Sequence, residues 1–196
     1  VALQGVDEGG ELLVRTSAGP VQAELLVCAA GWPLGRRVNW FADKLIPVRG
    51  QWLRTGGGPP LGLGVSGQHG YLWWRAHPDG GWLIGGARWA TPHLESWETE
   101  PEPQVVVEQR LLGLLAQSWP SVGAEVMARG AGIMTLTCDN LPLCGPLPGR
   151  ARILACTGFG EQGLALALGG AKGVAEGILE GDSAGLPELV RPARLV

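Results

Sequence analysis

Apolar positions along this chain fall into short runs broken by glycine and proline, with two longer stretches at helical spacing. In "GELLVRTSAGPVQAELLVCAAG" a short alternating strand is followed by a turn around Gly19 and Pro20 and then by a strand from Glu24 to Ala30 that ends on Gly31. The continuous apolar character of that second run predicts a parallel strand covered on both faces. "KLIPVRGQWLRT" predicts another strand, with Pro47 near its start. "GYLWWRAHPDGGWLIGGARW" predicts a β-hairpin, because Pro78, Asp79, Gly80 and Gly81 supply turn residues between two aromatic arms. Alternation puts Tyr71, Trp73 and Arg75 on one face of the first arm, and Trp82, Ile84, Gly86 and Arg88 on one face of the second. One such face would wall a pocket. From Pro101 to Trp119 the spacing of Leu111, Leu112, Leu114 and Leu115, with prolines before and Pro120 after, predicts a helix packed on the sheet.

Near the end, "CTGFGEQGLALAL" predicts a strand end, a glycine loop and a helix, and Gly158, Gly160 and Gly163 match G-x-G-x-x-G. That motif ordinarily opens a βαβ unit whose second strand carries a ribose-binding acid roughly 20 residues on. Here the helix "LALALGGAKGVAEGILEG" leads into "DSAGLPELVRPARLV", with two prolines, mixed charge and no run fit for a central strand. Glu180 has about the right spacing but ends the helix. The three glycines are therefore either a chance product of a glycine-rich chain or a nucleotide loop of another kind. A parallel strand near Glu24 also needs a neighbour reached through a crossover of a dozen or more residues, and only about twenty residues precede it. The chain is expected to begin inside a domain.

Composition narrows the function classes. A hydrophobic share of 45% in 196 residues is enough for a core. A net charge of −3 gives no basic footprint for nucleic acid. No run reaches the ~18 apolar residues of a membrane span, and the acidic start lacks the features of a signal peptide, so a cytoplasmic location is expected. The 33 glycines punctuate apolar segments, and nine tryptophans stand against one tyrosine and two phenylalanines. Those indoles either line a ligand pocket or fill the core. Cys28 and Cys156 sit in apolar runs and are expected in the core, while Cys138 and Cys144 flank a loop without zinc spacing. His69, His77 and His93 lie in separate settings, so neither a metal site nor a hydrolytic triad is expected.

The segment from Gly132 to Gly149 reads G-I-x-x-x-T-x-D-x-L-P-x-x-G-P-x-P-G, and a strand, the T-G-F-x-x-x-G loop and a small-residue helix follow it. This order resembles the carboxy-terminal part of the FAD-dependent amine and amino-acid oxidoreductases, the family of D-amino acid oxidase, glycine oxidase and sarcosine oxidase. "AELLVCAAGWP", "PVRGQ" and "PDGGWLIGGAR" are similar to the family's glycine step beside the cofactor, its crossover and its substrate-domain hairpin.

The resemblance implies an α/β fold with an α+β substrate part. It implies the carboxy-terminal portion of a discontinuous FAD-binding domain (1–45 and 131–196) around an antiparallel-sheet substrate domain (46–130), without the amino-terminal βαβ unit. That missing half becomes an expected partner, and this chain alone is expected to bind FAD poorly and to be inactive. It implies oxidation of a C–N bond by hydride transfer to FAD, with Ala30, Gly31, Trp32, Arg49, Gly50, Gln51 and the loop Gly158, Phe159, Gly160, Glu161, Gln162, Gly163 and Leu164 next to the cofactor. The loop would tune the flavin through the positive end of its helix.

FAD is expected to be non-covalent, because the family's attachment position aligns with Gly132. Tyr71, Trp73, Arg88 and Met134 are the expected substrate contacts. Met134 and Glu161 stand where glycine oxidase-like members carry carboxylate-binding arginines, so a small amino acid held by such a clamp is in doubt. Two other classes stay open at this point. One is a non-enzymatic subunit whose uncovered apolar face drives homo-oligomer formation; the other is a small-molecule binding domain with an anion at the Gly158–Gly163 loop.

Overall fold

A computed structural model describes residues 1–7, 9–120, 122, 125–181 and 185–196. The chain forms two compact units, one of Val1–Ile46 with Met134–Val196 and one of Pro47–Ile133.

The first unit begins with an antiparallel meander of β1 (Leu3–Asp7), β2 (Leu12–Thr16) and β3 (Gly19–Ala23). The turn lies at Ser17 and Ala18, not at Gly19 and Pro20, which already pair with Thr16 and Arg15 in the ladder. Pro20 is tolerated because β3 is an edge strand, where a missing N–H costs no ladder bond.

The next strand, β4 (Leu26–Cys28), is parallel to a later strand as its apolar run predicts, but it is only three residues long. Leu25 and Val27 are each 42% exposed, so it is not covered on both faces. The unit's other sheet is β10 (Leu143–Leu147), β11 (Arg150–Thr157) and β4, the first pair antiparallel. Leu12, Cys28, Phe41, Leu45, Leu143 and Ile153 form a buried core on one side. On another, α3 (Gly163–Glu180) packs through Val174 against Cys144, Leu154 and Leu186.

The long strands β5 (Leu45–Thr55) and β9 (Val126–Thr137) carry the chain between the units. With β6 (Val65–Gly67), β7 (Leu72–Ala76) and β8 (Trp82–Gly86) they make a sheet of order β6-β7-β8-β5-β9. The β7–β8 hairpin has the predicted turn, and a short α1 (Pro92–Glu95) follows it. The helix α2 (Val105–Ser118) starts four residues after Pro101, since Pro101 and Pro103 hold their neighbours extended. Its Val107, Leu111 and Leu115 bury against Leu53, Leu72, Trp82 and Ile84.

On the opposite sheet face tryptophan and glycine are complementary. A Cβ on Gly85 would collide with the Trp73 indole, and one on Gly130 with that of Trp52. The excess of both residue types is thus partly one feature, indoles lying flat across bare backbone.

Candidate functional site

In the first unit the ends of β4 and β11 open together. After β4 the chain reverses at Gly31, whose φ of 71° favours glycine, and a Cβ there would sit 2.8 Å from Thr135 Oγ1. The next N–H, of Trp32, donates to that same oxygen at 2.8 Å. After β11, Gly158 has φ 76° and Gly160 φ 52°. A Cβ on Gly158 would come within 2.6 Å of Thr137 Cγ2.

One 3-10 turn, Gly160–Gln162, then leads into α3, whose amino end has no side-chain cap. Its first N–H groups lack intrahelical acceptors and carry the positive end of the helix dipole. Ala29, Gly31, Thr135, Gly158, Gly160, Ala167 and Ala171 line a cleft of about 380 Å³ here, together with Cys156, Thr157 and Phe159. Ala30, Glu161, Gln162 and Leu164 are exposed. Trp32 is half-buried with the Arg36 guanidinium over its ring at 5.0 Å, and Phe159 lies under α3 beside Gly170.

Arg49, Gly50 and Gln51 lie in β5 of the second unit. Arg49 is buried and its donors face protein acceptors: Nε to Glu95 Oε2 at 3.2 Å, Nη2 to Glu95 Oε1 at 3.3 Å and to the Leu94 carbonyl at 2.8 Å, Nη1 to the Glu100 carbonyl at 3.3 Å. Glu98 adds a longer ion pair to Nη1 at 3.5 Å. Two backbone N–H bonds, from Glu100 and Thr99, hold the Glu98 carboxyl below its ordinary range. Gln51 completes the cluster, donating to Glu95 at 2.8 Å and accepting the Gln104 N–H at 2.6 Å.

Tyr71 and Arg88 come together at the other end of the hairpin. Tyr71 is in a helical conformation, so strand alternation starts only at Leu72. Gly86 (φ 106°) and Ala87 (φ 60°) then break the alternation of β8, and Arg88 Cζ lands 4.7 Å from the Tyr71 ring centroid. The face expected to combine Trp82, Ile84 and Arg88 is therefore split, with Trp82 and Ile84 in the core. Tyr71, Arg88, Trp89, Pro92, Glu95 and Ser96 line a pocket of about 300 Å³. Trp73 is half-buried on β7, and Met134 half-buried on β9. Thr135, Trp89 and Glu95 escaped the sequence reading, Glu95 because nothing in "TPHLESW" marks a buried carboxylate.

Among the described residues no three of His, Cys, Asp and Glu gather as a metal site, and no helix is long and apolar enough to cross a membrane.

The fold is similar to that of several solved structures. Glycine oxidase from Bacillus cereus superposes with a TM-score of 0.73 at 19% identity, covering 91% of this chain and 48% of that one. Glycine oxidase from Geobacillus kaustophilus gives 0.71 at 22%, covering 92% and 48%. L-proline dehydrogenase from P. horikoshii gives 0.74 at 16%, covering 99% and 53%. The chain thus spans about half the length of these proteins. No curated protein matches it. The family profile of the FAD dependent oxidoreductases, DAO, matches residues 1–177, from the first strand through the glycine loop and into α3, and the chain belongs to that family.

Proposed function

We propose that this chain is the carboxy-terminal half of an enzyme that oxidises the C–N bond of an amine or amino acid using non-covalently held FAD. The observation that carries the proposal is the cleft of Gly31, Thr135 and Gly158 at the uncapped start of α3, in a chain of this family. The residues present fit the group. Glycines and alanines leave room for a flat ring system, since a Cβ at Gly31 or Gly158 would meet Thr135 or Thr137. Bound flavin would supply a two-electron acceptor that side chains do not provide. The Gly158–Gly163 backbone and the α3 dipole favour negative charge in the cleft.

In the second unit, Tyr71 and Trp89 offer aromatic walls and Arg88 a positive charge, suited to a small substrate with an apolar part and an anionic group. Such a pocket contributes chiefly by alignment, for which no acid–base dyad is required. Leu164, Leu168 and Leu179 are 102%, 82% and 85% exposed along α3, a face that the rest of a full-length enzyme would cover, and the contacts to the ADP part of FAD would come from there. A cytoplasmic location is part of the same proposal.

Absorption spectroscopy of the protein expressed from its full reading frame tests this. Flavin bands that bleach on anaerobic addition of an amine support it. A protein that stays colourless with FAD supplied overturns it.

A further inference from the structure

The cysteines closest in sequence are not partners. Cys138 is exposed in the turn after β9, whereas Cys144 is buried in β10. The β10–β11 register instead sets Cys144 directly opposite Cys156. Opposed residues of an antiparallel ladder share a face with Cβ atoms about 4.5–5.5 Å apart, next to the roughly 3.5–4.5 Å that a disulfide requires. The two facing thiols perturb each other's ionisation.

Their surroundings differ. Cys144 is closed in by Leu154, Val174 and Leu186. Gly170 of α3 makes room for its sulfur, since a Cβ there would lie 2.8 Å from Sγ. Cys156 is half-buried and lines the cleft beside Gly31 and Gly158. Cys28 pairs with Ala155, so it lies on the other face of the sheet and takes no part.

We propose that Cys144 and Cys156 form a peroxide-reactive dithiol, in which a hydroperoxide entering the cleft oxidises Cys156 and Cys144 then closes a cross-strand disulfide. The Cys156 thiolate attacks the hydroperoxide; a sulfur–oxygen bond forms, the O–O bond breaks, and the departing oxygen leaves as water or alcohol with the proton Cys156 gave up. The Cys144 sulfur then attacks the Cys156 sulfenic acid. A sulfur–sulfur bond forms, the sulfur–oxygen bond breaks, and hydroxide leaves as water with the Cys144 proton. Two thiols are oxidised and one hydroperoxide is reduced.

The local chemistry assigns the order. The facing Cys156 sulfur, followed by burial, holds the Cys144 thiol above the ordinary range. The facing Cys144 thiol in turn lowers Cys156 to about 7 against the opposing effect of burial, and the thiolate is the reactive form. A disulfide across adjacent strands departs from relaxed geometry and is readily reduced again. Cys156 lines the cleft in which the proposed function places FAD, so the proposal requires that peroxide reach this thiol past the bound cofactor.

The test is hydrogen peroxide treatment of the reduced full-length protein, followed by intact mass measurement and non-reducing peptide mapping. The expected result is loss of two hydrogens, a single Cys144–Cys156 cross-linked peptide, and full reversal by dithiothreitol. In Cys144→Ala, Cys156 should stop at a sulfenic acid captured by dimedone. Failure of the wild-type protein to form that cross-link would overturn the proposal, whatever the variant does. So would labelling of Cys156 no faster than of exposed Cys138.

Discussion

Arg194 grips Asp139 through two parallel hydrogen bonds, Nε to Oδ2 at 2.6 Å and Nη2 to Oδ1 at 3.0 Å. Its other donors reach the carbonyls of Leu141 at 2.6 Å, Pro142 at 3.0 Å and Arg191 at 3.3 Å, so all five N–H groups are used. Asp139 in turn accepts the Leu141 N–H at 3.1 Å and lies 2.9 Å from Thr137 Oγ1. The chain's last turn thus fastens the loop between β9 and β10, and so the threonine against which Gly158 packs.

That grip makes stability depend on acid. The Arg194 hydrogen bonds lower the Asp139 carboxyl from 3.8 to about 2. A depressed carboxyl stabilises the fold above its unfolded pKa, and the contribution is lost as pH falls from 3.8 through about 2. The Asp139 side chain is 31% exposed, so solvent screening discounts the gain to about 1 kcal/mol. Asp139→Asn should lower the urea midpoint at neutral pH, and its titration curve should converge on the wild type near the acid end of that window.

Gly158→Ala should destabilise the first unit by about 2–4 kcal/mol, from the left-handed backbone and the collision with Thr137 Cγ2. Thr137→Ser removes that methyl group. Adding it to Gly158→Ala should recover part of the loss in urea denaturation, and strict additivity would show that the contact is not the cause.

The buried Arg49–Glu95 pair, 3% and 1% exposed, should be costly to break from one side. Glu95→Ala leaves a buried guanidinium and is expected to cost about 3–5 kcal/mol. A simultaneous Arg49→Met change should restore much of that in chemical denaturation.

Local pattern marked the elements bounded by proline and glycine, namely β5, the β7–β8 hairpin, α2 and α3. What escaped it depends on partners far along the chain. Pro20 reads as a turn until β3 is seen to be an edge. The twelve-residue β9 is hidden by Gly130 and Gly132, of which Gly130 is the seat of the Trp52 indole. At the site, the Gly31 and Gly158 steps were legible because positive φ selects glycine. Thr135, Glu95 and the Cys144–Cys156 pairing became visible only through strand register and packing.

Under the proposed amine-oxidising function, the Tyr71–Arg88 stack gives a way to read the charge of a substrate. The half-buried Arg88 guanidinium over the Tyr71 ring makes a cation–π contact of about 0.5–1 kcal/mol. If the guanidinium holds a substrate carboxylate, losing it removes about 1.5–3 kcal/mol of charged hydrogen bonding, or roughly 10–100-fold in KM with kcat nearly unchanged. Arg88→Lys keeps the charge without the planar fork and should fall between. Tyr71→Phe keeps the ring and should stay close to the wild type. Steady-state kinetics of the full-length protein, if it has the proposed activity, on an amino acid and its decarboxylated amine separate the cases. A loss confined to the amino acid assigns Arg88 to its carboxylate, whereas equal effects on both substrates make Arg88 a wall of the pocket and point to an uncharged amine.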